Sequence, residues 1–526
     1  MSRAETVAAP TTRIVDARAV VAAVGALVLC WLLLRPPGSG PDEPGHLARA
    51  GAVVRGELAD QNTYPLPDRY QVAEPGCYAF QPTVSADCAA IPVHTGATLD
   101  LSTNAGPYPI WGHGVYGAPT LLPGPDPLWW ARLVGGAIAT VLVGWSLARA
   151  ADDRRLTAAG LLLGLTPMAW STFGTVNPSS MVIAGAVAVW IGLLVARDGP
   201  TTLTIDPGWL VAAGWAALVL PRRDGLVWAC ITLVIALPAT DRTAAVWWRS
   251  LSRPQQGLIA ATTLVTMAWG ALSDSRSSQM VVLAPLLVAA VEAWRWWWRR
   301  PAQTAAVRAG TGAVVVVVGV LVTFLLIGTR PGGWDTNLAI DIVMQTDENL
   351  VEAIGVLGWL DTVVPAGVVY LWLVAIGVLV GAALIVDART GLMWAGVLSG
   401  AIAVTSWVLE LVQGNPSGLY WQGRYSLPLI VGLPVVLSLP LDELRDRGDD
   451  LRLVVGGLAL AVLNVAAWAA ARRFGVGTSG SLLPWRWDTP IQPIDPMLLL
   501  IAHAAVTAWL ARLLLVTRPS VDAGEG

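Results

Sequence analysis

Apolar residues in this chain come in long blocks rather than in alternation. Runs lie near residues 17–34, 127–149, 156–173, 179–196, 256–272, 280–294 and 310–328, and again near 363–385, 391–411, 426–440, 452–470 and 496–515. Each approaches the roughly 20 residues that carry a helix across a bilayer. The stretch 208–238 is cut by PRRDG into two pieces that are short for spanning helices. They count as two crossings, with a re-entrant pair as the alternative. The pattern predicts an all-α polytopic bundle of about fourteen spans in one integral membrane domain, residues 1–526, with no internal repeat.

Four long polar segments separate these blocks, at about 35–126, 329–362, 412–425 and 471–495. Loops of such length in a compact protein usually carry function. Arginines sort the two sides of the membrane. With the N-terminus in the cytoplasm, Arg149, Arg154 and Arg155, then Arg295, Arg299 and Arg300, then Arg445, Arg447 and Arg452 all fall in short inner loops, as the positive-inside rule asks. An even number of spans leaves Arg518 and the short tail 519–526 inside too, and places the long polar loops outside. RPPGSGP follows the first run where a small-residue cleavage site would be needed, so that run is expected to stay as a span. Tryptophans at span ends, as in PLWWAR and RWWWRR, fit interfacial belts.

Composition then narrows the chemistry. Of 526 residues 55% are hydrophobic and 13% charged, against about 25% charged in soluble proteins, and the mean hydropathy is +0.60. The net charge of −3 points to no nucleic-acid partner and no acidic tail. Every basic residue is arginine, which excludes lysine-amine chemistry and leaves anion contacts to guanidinium groups. The inner loops are short and hold no glycine-rich phosphate loop, so a nucleotide sugar has nothing to bind there.

Cys30 and Cys230 lie in apolar runs and read as buried small residues. Cys77 and Cys88 sit in the large outer loop, an oxidising place, at a spacing that a disulfide can close; the alternative is two free thiols.

The segment GSGPDEPGHLARA, directly after the first span, sets an acid pair and a histidine among prolines and glycines. In the run that follows, Leu47, Ala50, Gly51, Val54 and Leu58 share one helical face and His46, Arg49 and Glu57 lie elsewhere. This predicts an amphipathic helix over about 44–58 lying on the outer membrane surface. Pro44 suits its first turn and places Asp42 and Glu43 at its N-terminus. There the acids either cap the helix or face a cavity between spans as a base or metal ligand.

PDEPGHLARA after the first span, TPMAW followed by VNPSS, IGVLGWLDTVVP, and WQGRYSLP occur along nearly the whole chain in an order that resembles the bacterial membrane proteins of domain of unknown function 2142. Members of that family look like the GT-C superfamily of polytopic glycosyltransferases, which take sugars from polyprenyl-phosphate carriers. One departure is Ser179, which stands where an acid is expected after the Asn177–Pro178 pair, and it removes support for a catalytic role of that turn. The resemblance implies an inverting transfer at the outer face of the cytoplasmic membrane, from a lipid-linked sugar donor to an envelope glycan or lipid. Asp42 and Glu43 match the carboxylates of the first outer loop that act as general base or help to hold a divalent cation, Mg or Mn.

A lipid phosphate as leaving group needs fixed cations in a low-dielectric pocket. Arg424 in WQGRY, flanked by Gln422 and Tyr425, is the first candidate, and snorkelling to lipid headgroups is its alternative. Arg472 and Arg473, and Arg222 and Arg223 in the broken stretch, are further candidates, and His46 belongs to the same substrate-binding group. Trp334, Asp335, Asp341, Asp347 and Glu348 read as an acidic solvated loop, and Asp361 as a turn residue. His94 and His113 have no convincing ligand partners, and His503 reads as an interior histidine. Two rivals stand beside the transferase: a transporter or flippase of a lipid-linked saccharide, for which the break at 208–238 is the hint, and a non-catalytic scaffold of envelope assembly.

Overall fold

A computed structural model describes residues 16–123, 126–195, 206–273, 282–298, 336–413, 419–443, 448–487 and 493–516. The expected span at 310–328, the residues Trp334 and Asp335, and the tail 519–526 lie outside these. The described chain is mostly α-helix. Its strands are two short antiparallel pairs, β1 (Thr63–Pro67) with β2 (Thr98–Ser102) and β3 (Val356–Leu357) with β4 (Thr362–Val363).

Among the described residues seven helices are long and apolar enough to cross a membrane, or nine if two bent pairs each count as one span. Two of the seven are α1 (Ala17–Leu34) and α4 (Pro127–Asp153), on either side of α2 (Glu43–Val53) and α3 (Ile110–Gly117). The sequence count of about fourteen stands above this number. The expected span 156–173 is bent by 75° between α5 (Arg155–Gly164) and α6 (Pro167–Phe173). Pro167 cannot continue the helix of α5, and Thr166 caps the new one by accepting from the Ala169 N–H. The next helices, α7 (Pro178–Leu194) and α8 (Pro207–Val219), are short and apolar.

The stretch broken by PRRDG is a hairpin of α8 and α9 (Gly225–Ala239). Asp206, at the start of α8, accepts from Gln255 at one end of the bundle. Arg222, at the tip, reaches Ser179 at the other.

Charges staple the first end. Arg154 donates to the Leu439 carbonyl, and Asp442 accepts from the N–H groups of Leu156 and Thr157. The long loops meet at the second end. Arg473, wholly buried, donates to Asp361 at 2.7 Å and to the carbonyls of Tyr78 and Val84. Asp361 also accepts from the Phe80 N–H, and Trp359 donates to the Gly38 carbonyl. Asp361 is therefore a clasp between loops rather than a residue that only shapes its own turn.

Cys77 and Cys88 form a disulfide within the same layer, and Cys30 and Cys230 are free and buried. Closing a loop of 11 residues removes denatured-chain entropy equivalent to about 2–3 kcal/mol. The Cys77→Ser, Cys88→Ser variant should therefore be cut several times faster within 70–90 in limited proteolysis of the solubilised protein. An unchanged rate would mean that the clasp alone sets local stability.

Candidate active site

The site begins where α1 ends. Pro36 and Pro37 stop α1 from continuing, and Asp42 takes a left-handed backbone conformation, φ 58°, rare for a residue with a side chain. The turn is held in place by the α6–α7 linker. Asn177 donates to the Pro41 carbonyl at 3.2 Å and accepts from the Ser179 N–H, while the Val176 N–H donates to Glu43 at 2.9 Å. The VNPSS motif thus acts as a mould for the acid segment. A Cβ on Gly40 would come within 2.9 Å of Thr175, so the mould fits closely.

The two acids part company at this turn. Glu43 is fully buried and accepts two hydrogen bonds from Arg132, at 2.8 and 2.6 Å. Arg132 gives its remaining donors to the carbonyls of Leu32, Arg35 and Pro36, closing the C-terminus of α1. Burial works to raise the Glu43 carboxyl, but the charge and hydrogen bonds of Arg132, the Val176 N–H and the charge of Arg35 outweigh it and hold it below the ordinary value. Every lone-pair direction of Glu43 is thus directed to protein, which leaves it no face for a substrate. Treating the pair as one catalytic unit is corrected here.

Asp42 is the half left partly open, its side chain 26% exposed. It occupies the N-cap position of α2 yet caps nothing. Its carboxylate accepts instead from Asn104 at 3.0 Å and from Arg424 at 3.1 Å.

Arg424 is delivered by a segment with tight backbone requirements. Glu410 accepts from the N–H groups of Tyr420 and Trp421, and Glu352 from that of Gly423. A Cβ on Gly423 would stand 2.1 Å from the Asn349 carbonyl oxygen, so only glycine fits. The guanidinium is 2% exposed, and its Nε and Nη1 have no partner among the described residues. The side-chain Oε1 of Gln422 is likewise buried and has no partner among the described residues.

The PRRDG tip enters the same space. Arg222 is paired with Asp224 at 2.9 Å, donates to Ser179 and lies over the rings of Tyr425 and Tyr108, 4.4 and 5.5 Å from their centroids. Arg223 lies 6.0 Å from the Tyr108 centroid. The cluster therefore holds the guanidinium groups of Arg424, Arg222 and Arg223 beside the carboxylates of Asp42 and Asp224, with Glu352 near enough to act on Arg424.

His46, one turn beyond Asp42, is buried and bonded to His113 at 3.1 Å, with the Tyr108 ring edge-on to both. His113, which shows no convincing ligand partner in the sequence, finds one in His46, and Tyr108 and Asn104 carry no sequence signal. They belong to a Gly- and Pro-rich stretch whose only periodic piece is the eight-residue α3.

Other expectations are corrected. Helix α2 ends at Val53 rather than near 58, and it is buried on most sides instead of lying on a membrane surface. Arg49 explains the stop, because it donates to the carbonyls of Glu57, Leu58 and Ala59 and so folds the chain back on itself, with a turn at Gly56, φ 89°. Arg472 and Arg473 are not phosphate contacts. The first is bonded to the carbonyls of Thr478, Gly480 and Ser481 in its own loop, and the second is the clasp to Asp361. Asp341, Asp347 and Glu348 are exposed, and His503 is an interior residue bonded to Asn464.

No group of three or more His, Cys, Asp or Glu that could hold a metal occurs among the described residues. Asp42 stands among cations rather than beside a second free carboxylate, a poor setting for Mg or Mn.

Fold and site together define a multi-pass helical membrane protein with an acid–arginine centre at the end that carries its long loops. Residues 26–433 match the family described as Predicted membrane protein (DUF2142), and the chain belongs to that family. Among solved structures, the chain is similar to ArnT from Cupriavidus metallidurans bound to undecaprenyl phosphate, with 15% identity over 95% of this chain and 78% of that one and a TM-score of 0.34. The oligosaccharyltransferase of Archaeoglobus fulgidus in the apo form shows 12% identity over 89% and 57% of the two chains and a TM-score of 0.43. No curated protein matches the chain.

Proposed function

We propose that this protein is a polyprenyl-phosphate-sugar-dependent glycosyltransferase of the cytoplasmic membrane, acting at its outer face on an envelope glycan or lipid. The observation that carries the reading is Arg424, a buried guanidinium that holds Asp42 with one nitrogen and whose Nε and Nη1 have no partner among the described residues. Burying such donors unpaired is costly, and an anionic oxygen entering the cavity would satisfy both. The family's resemblance to GT-C transferases agrees with a lipid phosphate as that anion.

In this reading the acceptor hydroxyl attacks the anomeric carbon from the face opposite the phosphate, and Asp42 takes its proton as the new C–O bond forms. The bond from the anomeric carbon to the phosphate oxygen breaks and the anomeric centre inverts. Arg424, with Arg222 behind it, meets the negative charge that grows on the departing lipid phosphate. Glu43 acts only by fixing the turn. The described residues around Asp42 do not fit a divalent cation, and no step is assigned to one.

The test compares envelope glycans by mass spectrometry in a deletion strain complemented with wild type or with Asp42→Asn at matched membrane levels. A sugar lost on deletion and returned by wild type alone is the expected result. Full restoration by Asp42→Asn would remove the base assignment, and a deletion that alters no glycan would favour the transporter or scaffold.

A further inference from the structure

The buried histidine pair carries more than packing. His113 Nδ1 lies 3.4 Å from the Pro109 carbonyl oxygen, toward which it can only donate. Burial, followed by the neighbouring His46 and Arg49, holds His113 well below the ordinary imidazole value, so its other nitrogen, Nε2, is a lone pair. That lone pair faces His46 Nδ1 at 3.1 Å, which must then carry the proton. The hydrogen-bond pattern therefore leaves His46 Nε2 as an acceptor, and no group among the described residues donates to it.

The surroundings keep it so. Burial and the positive charges of Arg424 and Arg222 push the His46 imidazole down to about 3. The remaining neighbours of the ring are Tyr108, edge-on at 5.3 Å, and His113. Burial pushes the Tyr108 phenol up, so it stays a neutral O–H. A neutral imidazole among arginines cannot compete for the anion they attract. It can receive a hydroxyl.

We propose that His46 is a positioning residue whose Nε2 accepts a hydrogen bond from a sugar hydroxyl bound beside Asp42, and that His113 sets the tautomer that makes this possible. Arg424, which donates to the Asp42 carboxylate at 3.1 Å, also acts on the His46 ring, and the His46 N–H donates to the Asp42 carbonyl, so a polyol held at His46 brings a neighbouring hydroxyl toward the carboxylate. The inference rests on the transferase reading above, but its first test does not.

The chain has four histidines, so the detergent-solubilised full-length protein labelled with 15N-histidine gives four ring signal sets, assigned through His46→Gln and His113→Gln. Expected is an Nδ1–H tautomer for His46 that does not titrate between pH 5 and 8. An Nε2–H tautomer or a titration in that range would overturn the proposal. In the complemented strain, His46→Gln, which returns a polar atom near the Nε2 position, should keep glycan transfer within a few-fold of wild type. His46→Phe, which keeps the ring and removes the acceptor, should lower it at least tenfold at equal membrane level. If Asp42→Asn abolishes transfer and His46→Phe leaves it intact, the histidine inference fails alone. If Asp42→Asn also transfers normally, the base assignment falls with it, and if deletion alters no glycan, the transferase reading fails.

Discussion

Breaking the Glu43–Arg132 pair from one side should leave little folded protein in the membrane. Both side chains are wholly buried, and removing one partner strands the other charge, a change that costs about 3–5 kcal/mol. Against a total stability of about 5–15 kcal/mol that is a large fraction. Glu43→Gln and Arg132→Leu should each lower the yield and melting temperature of the solubilised protein, whereas the Glu43→Met, Arg132→Leu double variant should recover much of the loss. A Glu43→Gln protein that accumulates and melts like wild type would show that the pair is not structural.

The acid limb of stability follows the same carboxylate. Its value is depressed in the folded protein, so the stability it contributes is present above the ordinary carboxylate value and is lost as pH falls through the lower, folded one. Glu43→Gln should flatten that limb.

Arg424 should behave in the opposite way, with folding spared and transfer lost. Its replacement by Ala removes the donors aimed into the cavity and frees Asp42 from its partner; in a water-poor site such a donor is worth roughly a hundredfold or more in rate. Arg424→Lys keeps the charge but gives up the planar fork, and it should recover only part of the activity. The measurement is the glycan profile of the complemented strain at matched protein level, with the solubilised protein's melting point as control. Wild-type glycans from Arg424→Ala would return this residue to the headgroup-snorkelling alternative.

Much of this was legible in the chain. Apolar runs predict α1 at 17–34 and the helix at 496–514 almost to the residue, because a bilayer-length block flanked by prolines and charges admits one reading. Asp42, Arg424, Arg222 and Arg223 were all singled out from sequence, and the structure brings them together. Glu43 could not be separated from Asp42 by pattern alone. Asp42 stands in the left-handed region just before the helix that Glu43 begins, and this turn sends one side chain to the partly open side and the other into the packed interior.

Arg132 gave no signal either, since a basic residue in PLWWAR looks like an interfacial anchor until its partner 89 residues away is seen. Arg472 and Arg473 misled for the converse reason: arginines at a span end can serve their own loops as well as a ligand. The bend at Thr166 was hidden because apolarity continues through it, and only Pro167 marks the break.

The two bonds that define the acid turn lie very differently along the chain. Glu43 meets Arg132 after 89 residues, whereas Asp42 meets Arg424 only after 382. A chain emerging at about 5–20 residues per second thus builds the fixed half of the centre once Arg132 is made and waits on the order of 15–60 s for the guanidinium that completes it. Throughout that interval the carboxylate is in position without its cation. A chain halted before Arg424 therefore carries the finished turn with Asp42 unpaired by its cation, and the pairing is made only in the last fifth of synthesis.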